Sequence, residues 1–222
     1  MQQETLNYYN ENAIAFAEST QQVDFSDIQN HFLTYLPSDA YILDFGCGAG
    51  RDTKYFLEKG YQVEAVDGSE ELCKLASDYT GIKVKHIYFE ELHQKSVYDG
   101  VWACASILHL PIANLRTVLI QIAAALKENG ILYTSFKYGT FSGMRNGRYF
   151  QNMTVETLEK LVEEQNIFHI EELWLTGDVR AGREEEKWLN IIVRKKKQSG
   201  WWKGEDDFAT KYRTSLSSIR YF

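Results

Sequence analysis

Cysteine is scarce in this sequence of 222 residues, which contains only Cys47, Cys73 and Cys104, far apart along the chain. A disulfide framework or a zinc knot needs cysteines at paired spacing. Neither is predicted, and a reducing, intracellular setting is expected. Metal-ligand spacing is also missing among four of the five histidines: His31, His86, His93 and His169.

Long hydrophobic runs are absent as well. No apolar run approaches the ~20 residues that a membrane-spanning helix needs. The first residues lack the basic start and apolar core of a secretory signal. Since 44% of the residues are hydrophobic, the chain is not typical of a disordered protein. We expect a globular, cytoplasmic protein with no membrane partner.

The charge is negative overall but unevenly distributed. The formal net charge is −7, which disfavours non-specific binding to nucleic acid. From Arg194 onward, eight lysines or arginines face three acids, so this tail carries +5 and the preceding part −12. Two interpretations of the basic tail stay open: a solvated strand end, or a contact with nucleic acid.

Apolar runs alternate with segments of helical period, which predicts a three-layer, doubly wound, Rossmann-like α/β fold. The predicted strands are 41–45, 61–67, 83–89, 100–106, 130–136, 169–176 and 187–195. The predicted helices are 52–60, 69–79, 112–130 and 154–166. Ser69 and Thr154 are expected to cap two of these helices, and Gly130 to end a third. The final two strands follow each other without a helix, so they should pair antiparallel.

The domain organisation is predicted as one domain over residues 1–198 with an extension at 199–222. Residues 1–37 should form an N-terminal helical cap of two helices, 8–18 and 25–36, over a sheet edge or a ligand mouth. The extension is either an appended helix or the start of a further domain. Its role and the oligomeric state stay open.

The loop after the first strand has the chemistry of a ligand site. Residues 42–53 read ILDFGCGAGRDT, with Asp44 in the strand and glycines at 46, 48 and 50. A dinucleotide fingerprint spaces its glycines Gly-x-Gly-x-x-Gly, but Arg51 occupies the last place here. Asp44 would repel a pyrophosphate and attract a cationic amine.

The second strand ends in Asp67, 21 residues after Gly46. An acid at this place usually accepts hydrogen bonds from the hydroxyls of an adenosine ribose. Ribose together with a cationic amino-acid group, and without pyrophosphate, describes S-adenosylmethionine better than a dinucleotide. A nicotinamide oxidoreductase is therefore disfavoured.

Together, ILDFGCGAG, Asp67, YDGVWACASILHLP and ALKENGILYTSFK resemble the successive motifs of class I S-adenosylmethionine-dependent methyltransferases. The sequence is most similar to the small bacterial group called tellurite-resistance (TehB-like) or generic small-molecule methyltransferases, from about Tyr8 to Arg194. The resemblance implies a seven-stranded, mostly parallel sheet whose last strand is antiparallel. It implies S-adenosyl-L-methionine as cofactor and S-adenosyl-L-homocysteine as product.

The same resemblance assigns cofactor roles to individual residues. Asp44 would act at the amino group, Arg51 at the carboxylate and Asp67 at the ribose. The methionine part would contact Gly46, Cys47 and Gly48. The adenine would lie against Gly68, Ser69, Phe89 and Glu90. The transferable methyl would lie above Cys104, Ala105 and Ser106.

The acceptor side is predicted to be cationic and aromatic. The loop after strand five contributes Lys137, Tyr138, Arg145, Arg148 and Tyr149, with glycines that could hinge a lid. Arg180 and Arg183 either join this mouth, where guanidinium groups would bind an anionic or planar acceptor, or pair with Glu184 to Glu186. Tyr8 and Tyr9 either cap the cofactor or belong to the core.

No catalytic triad is visible. His109 is a candidate general base, and the competing interpretation is a structural histidine at the strand exit. The acceptor stays open between a tellurium or selenium oxyanion and a small carboxylate, phenol or amine. DNA is disfavoured, because no tetrapeptide of the DPPY or NPPY type accompanies the donor site. A sensor or partner module that binds the cofactor without catalysis is the alternative function.

Overall fold

The computed structural model describes residues 2–180, 182–183 and 185–197. A seven-stranded sheet in the order β3-β2-β1-β4-β5-β9-β8 forms its centre. The strands are β1 Tyr41–Phe45, β2 Gln62–Asp67, β3 Lys85–His86, β4 Tyr98–Ala103, β5 Leu126–Lys137, β8 Phe168–Gly177 and β9 Lys187–Lys195. Neighbours from β3 to β5 are parallel, and β9 runs antiparallel to both β5 and β8. The predicted fold, with its antiparallel last strand, is confirmed.

Helices cover both faces of this sheet. They are α1 Gln2–Glu11, α2 Ala13–Thr20, α3 Ser26–Leu33, α4 Arg51–Glu58, α5 Glu70–Thr80, α6 Ile112–Ala125 and α7 Val155–Gln165. Short 3₁₀ turns at Phe89–Glu91 and Ile107–His109 follow strands β3 and β4. No helix among these described residues is long and apolar enough to cross a membrane.

The strand sequences divide between two cores, because successive side chains point to opposite faces. Leu43 and Leu132 pack in the larger core with α6 and α7. Ile42 and Trp102 pack on the opposite face with Phe32 of α3. All five side chains are at most 1% exposed, so the central strands are buried on both faces, as is usual in a parallel sheet covered by helices.

Two predicted helix caps are present in the structure. The Ser69 side chain accepts a hydrogen bond from the Leu72 backbone N–H, and the Thr154 side chain accepts one from Thr157. Each satisfies a backbone donor that the first turn of a helix leaves unpaired. Local sequence therefore fixes where α5 and α7 begin.

The end of α6 differs from the prediction, since the helix stops at Ala125 and not at Gly130. The carbonyls of Ala124 and Ala125 accept hydrogen bonds from the backbone N–H groups of Ser96 and Val97. The next residue, Leu126, is extended and pairs with the start of β4. Contacts with another segment end this helix. Strand β3 is also shorter than predicted, at two residues.

The N-terminal cap contains three helices, because the predicted helix 8–18 is interrupted at Asn12. This residue lies outside the helical region, with φ −114° and ψ 16°. Its side-chain amide donates to the carbonyl of Tyr8 at 2.8 Å, a competition with helical bonding that is typical of asparagine. Helices α1 and α2 then lie over the ligand mouth.

The predicted loop after β5 contains an antiparallel hairpin, β6 Ser142–Arg145 and β7 Arg148–Gln151. Its turn has positive φ at Asn146 and Gly147, which suits a two-residue hairpin turn. The hairpin packs against α1, since Tyr149 N donates to Thr5 Oγ1 at 2.9 Å. The C-terminal extension 199–222 lies outside the described residues.

Two isoleucines of α6 provide a matched test of the buried helix face. Ile122 is fully buried, whereas Ile120 is 56% exposed. Ile122→Ala should lower the free energy of unfolding by about 2–5 kcal/mol, because a cavity forms in the core. Ile120→Ala should change it by no more than about 0.5 kcal/mol. Urea unfolding measures both, and equal losses would contradict this packing.

Candidate functional site

A cavity of about 220 Å³ opens at the carboxyl ends of the strands. Strand order reverses beside β1, with β2 on one side and β4 on the other. Ligands of open α/β sheets bind at this kind of position. Ten of the predicted cofactor residues line the cavity: Gly46, Cys47, Gly48, Arg51, Asp67, Gly68, Phe89, Cys104, Ala105 and Ser106.

The glycine loop forms the floor of the cavity. Gly46 and Gly48 have φ of 83° and 56°, values that favour glycine. A Cβ on Gly46 would stand 2.5 Å from the Cβ of Ser106. Close packing against Ser106 therefore requires glycine at position 46, and the loop lines the cavity with backbone atoms.

The carboxylate of Asp67 is fixed beside this loop. Gly48 N donates to one oxygen and Ser69 N to the other, both at 2.8 Å. Burial raises the pKa of Asp67, and these N–H groups oppose the rise. Each oxygen retains a second lone pair, so the carboxylate can still accept hydrogen bonds from a ligand.

Three predicted cofactor residues do not line the cavity. Asp44 is 1% exposed and accepts a hydrogen bond from Thr53 Oγ1 at 2.5 Å. Ser69 is occupied as the cap of α5, and its hydroxyl also bonds Asn10. Glu90 lies in the first 3₁₀ turn, where its carbonyl accepts from Gln121. These three side chains are therefore not placed to contact a ligand in the cavity.

Asp52 is a lining residue that the sequence analysis missed. Its carboxylate accepts hydrogen bonds from Arg51, from Trp102 Nε1 at 2.8 Å and from Gln29 Nε2 at 2.7 Å. Burial disfavours the charge of Arg51, but Asp52 more than offsets this and the pKa of Arg51 is raised. Arg51 also lies over the ring of Phe25, 4.4 Å from its centroid. The guanidinium is thus held in place at the cavity wall.

The end of β4 forms a strained corner of the cavity. Ala105 has φ of 49°, a value that non-glycine residues seldom adopt. Its N–H donates to Ser135 Oγ at 2.9 Å, which helps to hold this conformation. Burial raises the pKa of the neighbouring Cys104 thiol to about 12, so this cysteine stays protonated at neutral pH.

His109 lines the cavity with both ring nitrogens engaged. Nδ1 lies 2.6 Å from the Tyr149 carbonyl and Nε2 lies 2.9 Å from the Tyr9 hydroxyl. A carbonyl can only accept, so Nδ1 carries the proton and Nε2 accepts from Tyr9. Burial lowers the pKa of His109 to about 4. This setting favours the structural interpretation over a general base.

The far half of the cavity is aromatic and cationic, as predicted. Five candidates for acceptor binding line it: Tyr9, Lys137, Arg148, Arg180 and Arg183. Several lining residues were not foreseen: Phe16, Phe25, Phe150, Asp178 and Trp188. The aromatic ones are spread over three distant segments, so no local pattern could have grouped them.

Among the described residues, the pairing with Glu184 to Glu186 that the sequence analysis considered is present for Arg183 but not for Arg180. Arg180 pairs with Asp178 at 2.6 Å, and Arg183 with Glu186 at 3.7 Å. Lys137 also pairs with Glu186. The Asp-Val-Arg spacing of the turn was the available signal for the first pair.

Four predicted acceptor residues lie outside the cavity wall. Tyr8 packs beneath the guanidinium of Arg148, and Tyr138 is 41% exposed. Arg145 stacks on Phe141 on the outer side of the hairpin. Tyr149 is buried, with its hydroxyl bonded to Ser142.

Within the described part of the chain, no group of three or more His, Cys, Asp or Glu side chains could hold a metal ion.

Comparison with known proteins finds similarity in the central segment of the chain. Residues 42–130 match the family model described as a methyltransferase domain. The chain is 26% identical over 145 residues to the malonyl-[acyl-carrier protein] O-methyltransferase of Salmonella typhimurium, covering 60% of this chain and 56% of that protein. It is 30% identical over 103 residues to the ubiquinone biosynthesis O-methyltransferase of Rickettsia bellii, covering 44% and 42%. The chain spans about half the length of the curated relatives it matches.

Solved structures share the fold over most of the chain. The 1,6-didemethyltoxoflavin-N1-methyltransferase of Burkholderia thailandensis superposes with a TM-score of 0.73 at 22% identity, covering 88% of each chain. The magnesium protoporphyrin IX methyltransferase of Synechocystis does so with 0.63 at 15% identity, covering 85% of this chain and 94% of that one. The [4+2]-cyclase SpnF also matches, with 0.65 at 14% identity and coverage of 88% and 94%. The chain shares the fold of these three proteins, and the cyclase illustrates that a fold alone does not specify the reaction.

Asp44→Asn tests the energetic cost of the buried acid below the cavity. Burial, and then the charge of Asp52, raises the pKa of Asp44 well above its usual range. Because the pKa of Asp44 is higher in the folded state than its unfolded value of about 3.9, protonated Asp44 stabilises the fold fully only below that unfolded value. As the pH rises towards the folded pKa, the unfolded state loses its proton first, and this stability is lost. Asp44→Asn should therefore raise the free energy of unfolding at about pH 7, by about 1 kcal/mol or more, with a smaller gain near pH 4.

Urea unfolding at the two pH values measures this effect. The exposed Asp78 provides the matched control, and Asp78→Asn should change the free energy of unfolding little at either pH. A loss of stability in Asp44→Asn at both pH values would contradict the cost assigned to the buried carboxyl.

Proposed function

We propose that this chain is an S-adenosylmethionine-dependent methyltransferase that moves a methyl group by in-line displacement to a small, anionic or aromatic acceptor. The observation that carries the proposal is the Asp67 carboxylate, fixed by two backbone N–H groups beside the bare glycine loop. This arrangement lies within the segment that matches the methyltransferase domain.

The residues of the cavity fit the proposed cofactor. Asp67 offers free lone pairs to the ribose hydroxyls, and Gly46 and Gly48 line the cavity with backbone atoms alone. Arg51 is a charged donor at the wall for the carboxylate of the methionine part. Asp44 lies behind the wall, buried and bonded to Thr53, so it would act on the cationic amino group only at a distance. A pyrophosphate would meet the carboxylate of Asp67 here, which disfavours a dinucleotide.

The cofactor would supply a methyl group on positively charged sulfur: the acceptor's electron pair forms the new bond to carbon, and the pair of the broken carbon–sulfur bond stays on sulfur. The protein's part is to align the acceptor and to exclude water. Helices α1 and α2 contribute Thr5, Tyr9 and Phe16 to the cavity, which supports such exclusion.

Several features support a small acceptor. The far half of the cavity is enclosed by aromatic side chains and four cations. The two relatives compared above are named O-methyltransferases, which supports an oxygen nucleophile such as a carboxylate or phenol. A tellurium or selenium oxyanion, as in the TehB-like group, would also suit the cations. The net charge of −7 supports a small molecule over nucleic acid as partner, and the free cysteines support a cytoplasmic location.

Asp67→Asn should weaken S-adenosylhomocysteine binding tenfold or more, about 1.4 kcal/mol, because an amide offers one acceptor oxygen in place of two. Isothermal titration calorimetry measures the affinity. The exposed Asp39 serves as matched control, and Asp39→Asn should bind like the parent. Tight binding of NAD without binding of S-adenosylmethionine would refute the proposed cofactor.

Turnover separates the enzyme from the non-catalytic sensor. Incubation of the protein with methyl-labelled S-adenosylmethionine and a small-metabolite extract should give a labelled product. Heat-denatured protein is the control for spontaneous methylation. Cofactor binding with no labelled product, across extracts from different growth conditions, would favour the sensor.

A further inference from the structure

The cations that line the cavity differ in whether a carboxylate neutralises them. Arg51 pairs with Asp52, Arg180 with Asp178, and both Lys137 and Arg183 with Glu186. Among the residues that the structure describes, Arg148 has no ion pair. Of the described cations that line this wall, Arg148 is the one without a carboxylate partner.

The surroundings of Arg148 make an uncompensated charge costly. Its guanidinium lies 4.4 Å from the ring centroid of Tyr8, 5.2 Å from that of Phe150 and 5.8 Å from that of Tyr9. Its Nε atom is buried and has no hydrogen-bond partner. Aromatic faces attract a cation, but they do not replace a hydrogen-bond acceptor. An anion beside Arg148 would supply both an opposite charge and an acceptor for Nε.

Among the residues described in the same half of the cavity, we find no group suited to remove a proton from an acceptor. The ring nitrogens of His109 are both engaged, and burial keeps its pKa at about 4. Burial raises the pKa of Tyr9, so its phenol keeps its proton. Burial opposes the charge of Asp178, but hydrogen bonds from Arg180 and Trp188 lower its pKa to about 2, so it is ionised. The same hydrogen bonds occupy its carboxylate, and its low pKa makes it a weak base.

The groups nearer the glycine loop are no better suited. Asp52 is saturated by Arg51, Trp102 and Gln29. Burial raises the pKa of Cys104 to about 12 and that of Cys47 well above its usual range. Apart from Asp67, which the proposed function assigns to the ribose, these described residues provide no effective base for an acceptor that needs deprotonation.

On the basis of the proposed function, we propose that the acceptor is a planar organic anion that arrives already ionised and that Arg148 recognises its negative charge. Such an acceptor brings its own electron pair to the methyl carbon, and no proton has to leave. Arg148 pairs with one end of the conjugated anion, because a guanidinium at the reacting atom would withdraw the electron pair it needs. The proposed acceptor is therefore both anionic and aromatic.

The test uses 4-nitrophenol, a planar phenol whose ionisation near neutral pH is visible by absorbance. It is titrated with acid and base in the presence of protein saturated with S-adenosylhomocysteine. The bound probe should ionise at a lower pH than the free probe, with at least a tenfold preference for the anion. Arg148→Gln should abolish this preference, and Arg148→Lys should retain part of it.

Arg145→Gln is the matched control, since Arg145 pairs with Arg148 across the hairpin but lies outside the cavity. It should leave the titration unchanged. Calorimetry with S-adenosylhomocysteine on every variant checks folding and tests the proposed function separately. If the cofactor product binds but 4-nitrophenol does not, or its ionisation is unchanged, or the preference survives in Arg148→Gln, the proposal is wrong.

Discussion

The carboxylate of Asp52 joins the core of this protein to its cavity, and the geometry of the site depends on it. It connects Gln29 of α3, Arg51 of α4 and Trp102 of β4, three elements that are distant in sequence. Trp102 is fully buried and stacks on Tyr133, with ring centroids 4.0 Å apart. Because breaking a buried, hydrogen-bonded pair leaves an uncompensated charge, these elements are held in one arrangement. The orientation of Arg51 at the cavity wall therefore depends on the core in which Trp102 packs.

The two halves of the cavity carry charges of opposite sign. The half beside β1 and β2 concentrates acids, with Asp44 and Asp67 at the strand ends, and suits a ligand with positive charge. The half beside β5 and β9 concentrates cations within aromatic walls, and suits a ligand with negative charge. Two reactants of opposite charge would thereby be attracted to adjacent places, and their charges would cancel on reaction. Such a design needs orientation more than acid–base chemistry.

The features that the sequence predicted correctly are those that depend on interactions between neighbouring residues. Strands Tyr41–Phe45 and Lys187–Lys195 and the caps Ser69 and Thr154 follow from hydrophobic runs and from side chains that satisfy their own helix. The end of α6 did not, because backbone groups of another segment terminate it. In the site, the glycine loop and Asp67 were accessible from spacing. The partners of Asp52, the engagement of both nitrogens of His109 and the surroundings of Arg148 depend on segments up to 140 residues apart, as between Tyr8 and Arg148. No single sequence pattern connects such segments.

The first helix is attached to the hairpin and to the 3₁₀ turn Ile107–His109 by two hydrogen bonds, from Tyr149 N to Thr5 and from Tyr9 to His109. Movement of α1 away from the cavity would break both. Peripheral segments open locally at far lower free energies than a core does. The residence time of a ligand enclosed here would then report the fraying of α1 as much as the strength of the ligand's own contacts.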